Sequence, residues 1–84
     1  MPYISQEDRK ELDGHLEKRS PVTWGEFNYT ITRQILDFLH NKTDSSYAAY
    51  NSVIGMLECI KQELYRRMIA PYEDKKIKEN GDVF

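Results

Sequence analysis

Apolar and polar residues follow one another along this chain with the period of a helix. Between residues 24 and 40, Trp24, Phe27, Ile31, Ile35, Phe38 and Leu39 fall on one arc at about 100° per residue, while Glu26, Thr30, Arg33 and Asp37 take the opposite arc. That pattern predicts an amphipathic helix from Trp24 to His40. A longer one is predicted from Tyr47 to Ile69, where Tyr50, Val53, Ile54, Leu57, Ile60, Leu64 and Met68 share a broad face. Ahead of both, Leu12 and Leu16 with Ile4 give a narrow stripe, enough for a short surface helix over about residues 6 to 18 that Gly14 weakens.

The punctuation agrees with three helices. Ser5 ahead of Asp8, and Thr23 ahead of Glu26, are starts of the capping-box type, in which the hydroxyl serves an N–H three residues on. Ser45 or Ser46 is placed to cap the long helix. Pro21 in "KRSPVT" separates the first two helices, "NKTDSS" is a polar loop, and Ala70-Pro71 is expected to end the third helix. "YEDKKIKE" then adds one or two turns, with Pro71 at the first position and Asp74–Lys78 as an i,i+4 pair. "ENGD" is a turn signal, and Val83 and Phe84 after it are strand formers. They are expected to be ordered, either pairing as a minimal β-strand with Tyr3 and Ile4 or docking into a neighbouring subunit. The expected architecture is all-α, a single domain over residues 1–84. An antiparallel hairpin of the second and third helices is crossed by the short N-terminal helix.

Composition bounds what such a chain can be. It has 84 residues, 39% apolar and 31% charged, within the globular range. A domain this small buries only about 60% of its unfolded surface and is marginal alone. The single cysteine excludes an internal disulfide, and two histidines with one cysteine make a poor metal set, so no metal or cofactor is expected. Self-association is the expected supplement. Ala48, Ser52, Gly55 and Cys59, at i, i+4, i+7 and i+11, form a strip of small side chains that Met56 and Ala49 continue. A glycine inside a helix costs about 1 kcal/mol against alanine, so a close approach by another helix is its expected reason. Either helix 1 or a second copy covers this strip, and a homodimer or larger assembly joined along it is expected. The net charge of -2 withholds the basic excess that general nucleic-acid binding needs. "MPYISQEDRK" has no apolar signal region, and no apolar run approaches about 18 residues, so a cytoplasmic protein is expected. The "NKT" sequon at Asn41 has no consequence without secretion.

Catalytic signatures are missing: no Gly-rich phosphate loop, no G-x-S-x-G elbow and no HExxH. Cys59 with a histidine could form a nucleophile pair, but a buried structural thiol is the commoner state of such a cysteine. Glu7, Asp8, Glu11 and Asp13 resemble an acid/base or divalent-ion cluster, yet they alternate with Arg9 and Lys10 on a solvated face. Asn28 lies on the apolar arc of helix 2, where a buried amide must find partners. The richest stretch is "ELYRRMIAPYEDKK", with Tyr65, Arg66, Arg67, Tyr72, Lys75 and Lys76. Arginine forks grip phosphates at two points and aromatic faces stack on bases, so these residues suit a nucleotide. Two considerations oppose this: a helix C-terminus repels phosphate, and Arg66 and Arg67 can simply favour that dipole and pair with Glu63, an i,i+4 neighbour of Arg67. Arg9 with Tyr3, near a helix N-terminus, is a smaller anion candidate. Tyr29, Arg33, Leu36 and His40 form a second surface on helix 2 that suits a protein partner.

The stretches "MPYISQEDRKELD", "FNYTITRQIL" and "YAAYNSVIGMLECIKQELYRRMIAPYEDKKIKENGDVF" resemble a family of very small proteins of bacteriophage and bacterial genomes. The resemblance covers nearly the whole chain apart from residues 14–24 and brings no functional residue with it. It implies a phage or prophage context and the host cytoplasm. Small oligomeric helical phage proteins without enzymatic activity include sponges that remove the cyclic nucleotides of bacterial immune systems such as CBASS. By analogy of context and size, the expected function is a non-enzymatic sponge for a phosphate-bearing ligand, bound by Tyr3, Arg9, Tyr65, Arg66, Arg67, Tyr72 and Lys75. The alternative is an oligomeric module that binds and modulates a host protein.

Overall fold

The computed structural model describes residues 2–16, 18–41 and 46–84. It is all-α: α1 (Gln6–Leu16), α2 (Trp24–His40), α3 (Tyr47–Leu64), a π turn (Tyr65–Ile69) and α4 (Ala70–Asn80). The chain divides into two units, Met1–Tyr50 and Asn51–Phe84. The first holds α1, α2 and the opening of α3; the second holds the rest of α3, the π turn and α4.

In the first unit, local hydrogen bonds set the helix starts. The Asp8 N–H donates to Ser5 Oγ at 3.1 Å and the Arg9 N–H to the Ser5 carbonyl at 3.0 Å. Glu7 and Asp8 place negative charge at the positive end of α1. The helix is described to Leu16, and Lys18, at the expected end, lies in a turn. Thr23, in an extended conformation, accepts the Glu26 N–H at 3.1 Å and donates its hydroxyl to the Glu26 carboxylate at 3.3 Å. The same carboxylate receives the Arg19 guanidinium at 3.0 Å. At the other end of α2, the Asn41 N–H reaches the Asp37 carbonyl at 3.1 Å. Ser46 Oγ accepts the Ala49 N–H at 3.4 Å, which makes Ser46 a cap of α3. Ser45, the other candidate cap, lies outside the described residues, as do Lys42 and Thr43 of the sequon.

In the second unit, the helix does not end at Ala70-Pro71. It passes through the five-residue π turn and continues as α4 to Asn80. The reason is the proline. Pro71 has no N–H to return to a carbonyl one turn back, and its ring would press on the carbonyl four residues before it. Widening the turn by one residue relieves the ring. The Ala70 N–H accordingly reaches five residues back, to the Tyr65 carbonyl. Ala70 keeps ordinary helical angles, φ -58 and ψ -46, against the usual preference of a residue before proline. α4 stops at Gly81, whose φ of 89 excludes most side chains, and the Gly81 N–H closes the last turn on the Ile77 carbonyl at 2.8 Å.

Among the described residues there is no strand, so the expected β-pair of the termini is not formed. Two-residue strands offer few ladder bonds, and the Phe84 N–H is already given to Asp82 Oδ1 at 2.9 Å. Val83 and Phe84 are fully exposed. The larger finding concerns burial. Among the described residues none is buried. Trp24 is 86% exposed, Ile54 66% and Met68 67%, while Ile35, Leu39, Val53 and Leu57 are half-buried. Two expectations change with this. Cys59 is exposed, not a buried thiol. Asn28 is exposed too; the Thr32 hydroxyl donates to its carbonyl at 2.8 Å and lies 3.3 Å from its Oδ1.

Candidate functional site

The Tyr/Arg/Lys segment lies wholly within the second unit, from the last turn of α3 through the π turn into α4. Glu63 organises its first half. Its Oε2 receives Arg66 Nη2 at 2.8 Å and its Oε1 receives Arg67 Nε at 2.6 Å. One carboxylate thus holds two guanidiniums, one on each oxygen. The arginine side chains are 67% and 60% exposed, the Glu63 side chain only 29%. The expected pairing of Arg66 and Arg67 with Glu63 is present.

Tyr65 is tied across the π turn. Its hydroxyl donates to Glu73 Oε1 at 2.5 Å, eight residues on. In an unbroken α-helix, eight residues turn about 800°, which leaves the two side chains about 80° apart. With one residue absorbed by the π turn they lie nearly in line, about 20° apart. Hydrogen bonding to the Glu73 carboxylate, then that carboxylate's charge, pushes the Tyr65 phenol above its ordinary pKa.

Tyr72, Lys75, Lys76 and Glu79, at i, i+3, i+4 and i+7, share a face of α4. Lys76 Nζ stands 5.6 Å from the centre of the Tyr72 ring and 3.4 Å from Glu79 Oε2. The Lys76–Glu79 pair stands where the sequence suggested Asp74–Lys78. Lys75 is exposed on the same face. Four cations (Arg66, Arg67, Lys75, Lys76) therefore face three carboxylates (Glu63, Glu73, Asp74) in this stretch.

The other candidates are placed as follows. Tyr3 and Arg9 belong to the first unit, both at the α1 entry, where Arg9 Nε donates to the Ile4 carbonyl at 2.9 Å. Tyr29 and Leu36 on α2 are exposed, and Arg33 pairs with Asp37 at 3.4 Å. Tyr29 also borders a shallow recess of about 270 Å³ with Arg19, Pro21, Glu26 and Thr30. Gly55 on α3 faces open space, with nothing within 4 Å of where a Cβ would stand. Ala48, Ser52, Met56 and Cys59 are exposed on the same helix. Glu58, five residues before Glu63, has its carboxyl held below the ordinary value by hydrogen bonds from Gln62 and Lys61 and by the Lys61 charge. Among the described residues no three metal-binding side chains come together, the carboxylates of α1 included. No described helix is long and apolar enough to cross a membrane.

These features define a small all-helical protein with an open apolar surface and a cationic, tyrosine-bearing segment built around a π turn. The chain belongs to the family described as "Domain of unknown function (DUF6899)", whose model matches residues 1–83. No curated protein and no solved structure matches it.

Proposed function

We propose that this protein is a non-enzymatic binding protein of phage type that acts as a homo-oligomer in the host cytoplasm. It sequesters a phosphate-bearing small ligand, of the class of the cyclic nucleotides that carry bacterial immune signals. The observation that carries the reading is the exposed group of Arg66, Arg67, Tyr72, Lys75 and Lys76 within two consecutive helical stretches. Guanidinium forks take phosphate oxygens at two points, and tyrosine rings offer faces to bases. The continuation of the helix to Asn80 supports the reading, because it removes the negative helix end from Arg66 and Arg67. Tyr65 adds a ring beside them, and Tyr3 with Arg9 adds a second cationic, aromatic element. Self-association is supported by the absence of any buried residue among those described, and by the open strip of Ala48, Ser52, Gly55, Met56 and Cys59. Native mass spectrometry with a panel of cyclic and linear nucleotides tests the proposal. An oligomer that gains nucleotide mass reversibly, and loses the gain with Arg66→Glu and Arg67→Glu, supports it; binding that survives both changes rejects this site.

A second reading rests on the exposed stripe of Tyr29, Arg33, Leu36 and His40, which suits a protein partner. Recovery of one stoichiometric host protein, lost with Leu36→Glu and accompanied by no small molecule, favours that reading.

A further inference from the structure

The geometry points to Glu63 as a built-in competitor at the phosphate site: we propose that its carboxylate occupies the position of the ligand's phosphate and must be displaced for binding. This inference rests on the phosphate-binding reading above and adds the regulation of that site. Its basis is the arrangement of the three side chains. Each Glu63 oxygen takes one guanidinium, Arg66 Nη2 at 2.8 Å and Arg67 Nε at 2.6 Å. Two oxygens of one phosphate, or the bridged oxygens of a pyrophosphate, present the same pair of acceptors to the same two forks. The carboxylate is also the less exposed partner, seated beneath two arginines that are mostly open to water. Ion pairs this exposed are individually weak, so an anion of higher charge can replace the carboxylate. A ligand with one negative charge gains little over Glu63, whereas a ligand with two or more, such as pyrophosphate or the two phosphodiesters of a cyclic dinucleotide, can take both guanidiniums and leave neither unpaired. Glu63 thereby sets the ligand class as polyanionic phosphate.

The test is calorimetric titration of the full-length protein with inorganic pyrophosphate. Wild type is compared with Glu63→Gln and with Glu58→Gln, which removes the same charge from α3 five residues away, about 140° around the helix. Glu63→Gln is expected to bind roughly 3- to 10-fold tighter, from the loss of one repelling charge a few ångströms from the anion and of one of the two acceptor oxygens. Glu58→Gln is expected to stay within about twofold of wild type at ordinary ionic strength, since solvent and salt screen its charge at that distance. Circular dichroism confirms that each variant keeps its helices. Equal affinities of the two variants overturn the competitor role while leaving the binding reading intact, provided Arg67→Glu still abolishes binding. If neither pyrophosphate nor any cyclic dinucleotide binds wild type or Glu63→Gln, both the inference and the reading fall.

Discussion

Replacing Pro71 by alanine restores the missing N–H and removes the ring that forces the π turn. Proline inside a helix is about 3 kcal/mol less favourable than alanine, and the π turn already relieves part of that. Pro71→Ala is therefore expected to stabilise the second unit by roughly 1 to 3 kcal/mol. It is also expected to return residues 65–69 to the α register. Everything beyond them then rotates by about 100° and advances by about 1.5 Å relative to α3. Glu73 moves from nearly in line with Tyr65 to about 80° away, and the 2.5 Å bond is lost. The readout is the Tyr65 phenol, followed by ¹³C NMR of labelled tyrosine rings. In wild type its pKa is raised, first by the Glu73 hydrogen bond and then by the Glu73 charge. In Pro71→Ala it should fall toward the ordinary value, as it should in Glu73→Gln, which removes the acceptor's charge in the original register. If Tyr65 drops in Glu73→Gln but titrates like wild type in Pro71→Ala, the proline is not what aligns the two side chains, and the register argument fails. The sign also fixes the pH window. A phenol raised in the folded state contributes stability below its ordinary value of about 10 and loses it as pH rises through the raised value.

Thr23→Ala removes the α2 cap and should cost about 1 kcal/mol, read as a lower Tm by circular dichroism; an unchanged Tm means the cap adds nothing. Glu58 is depressed, so its contribution is present above the ordinary carboxylate range and lost as pH falls through its folded value. Glu58→Gln should therefore flatten part of the acid-side loss of helicity, and an identical acid limb in the variant contradicts this. Gly55→Leu should disrupt association if the Ala48–Cys59 strip is the interface, since Gly55 faces open space within the chain. Light scattering that reports the wild-type mass for this variant removes the strip from consideration.

The helix starts were legible because they depend on residues within one turn. Ser5, Thr23 and Ser46 each accept an N–H three residues ahead, and a reader of sequence sees donor and acceptor together. The bounds of α2 follow from its cap and its unbroken apolar arc. The passage through Pro71 was not legible, because proline after alanine normally signals an end and the widening is a compromise of backbone geometry. The same compromise hid Tyr65–Glu73, whose eight-residue spacing has no meaning in a regular helix. The pairing of Arg66 and Arg67 with Glu63 was legible, since i,i+3 and i,i+4 neighbours on a helix lie within reach of one carboxylate. Asn28 was placed by its position on the apolar arc and Cys59 by its residue type, and neither says whether this chain supplies anything to cover them.

The absence of buried side chains among the described residues bears on dosage. Most of the favourable free energy of folding comes from taking apolar surface out of water, and if the chain self-associates as proposed, that step is completed only in the assembly. Concentration then becomes a term in the folding equilibrium, and the midpoint of unfolding moves with the amount of protein present. In a cell this acts as a threshold. On the proposed self-association, a few copies, made slowly, would be open to proteases, whereas a burst of synthesis would cross into the assembled state and persist. Such a chain is suited to appearing all at once.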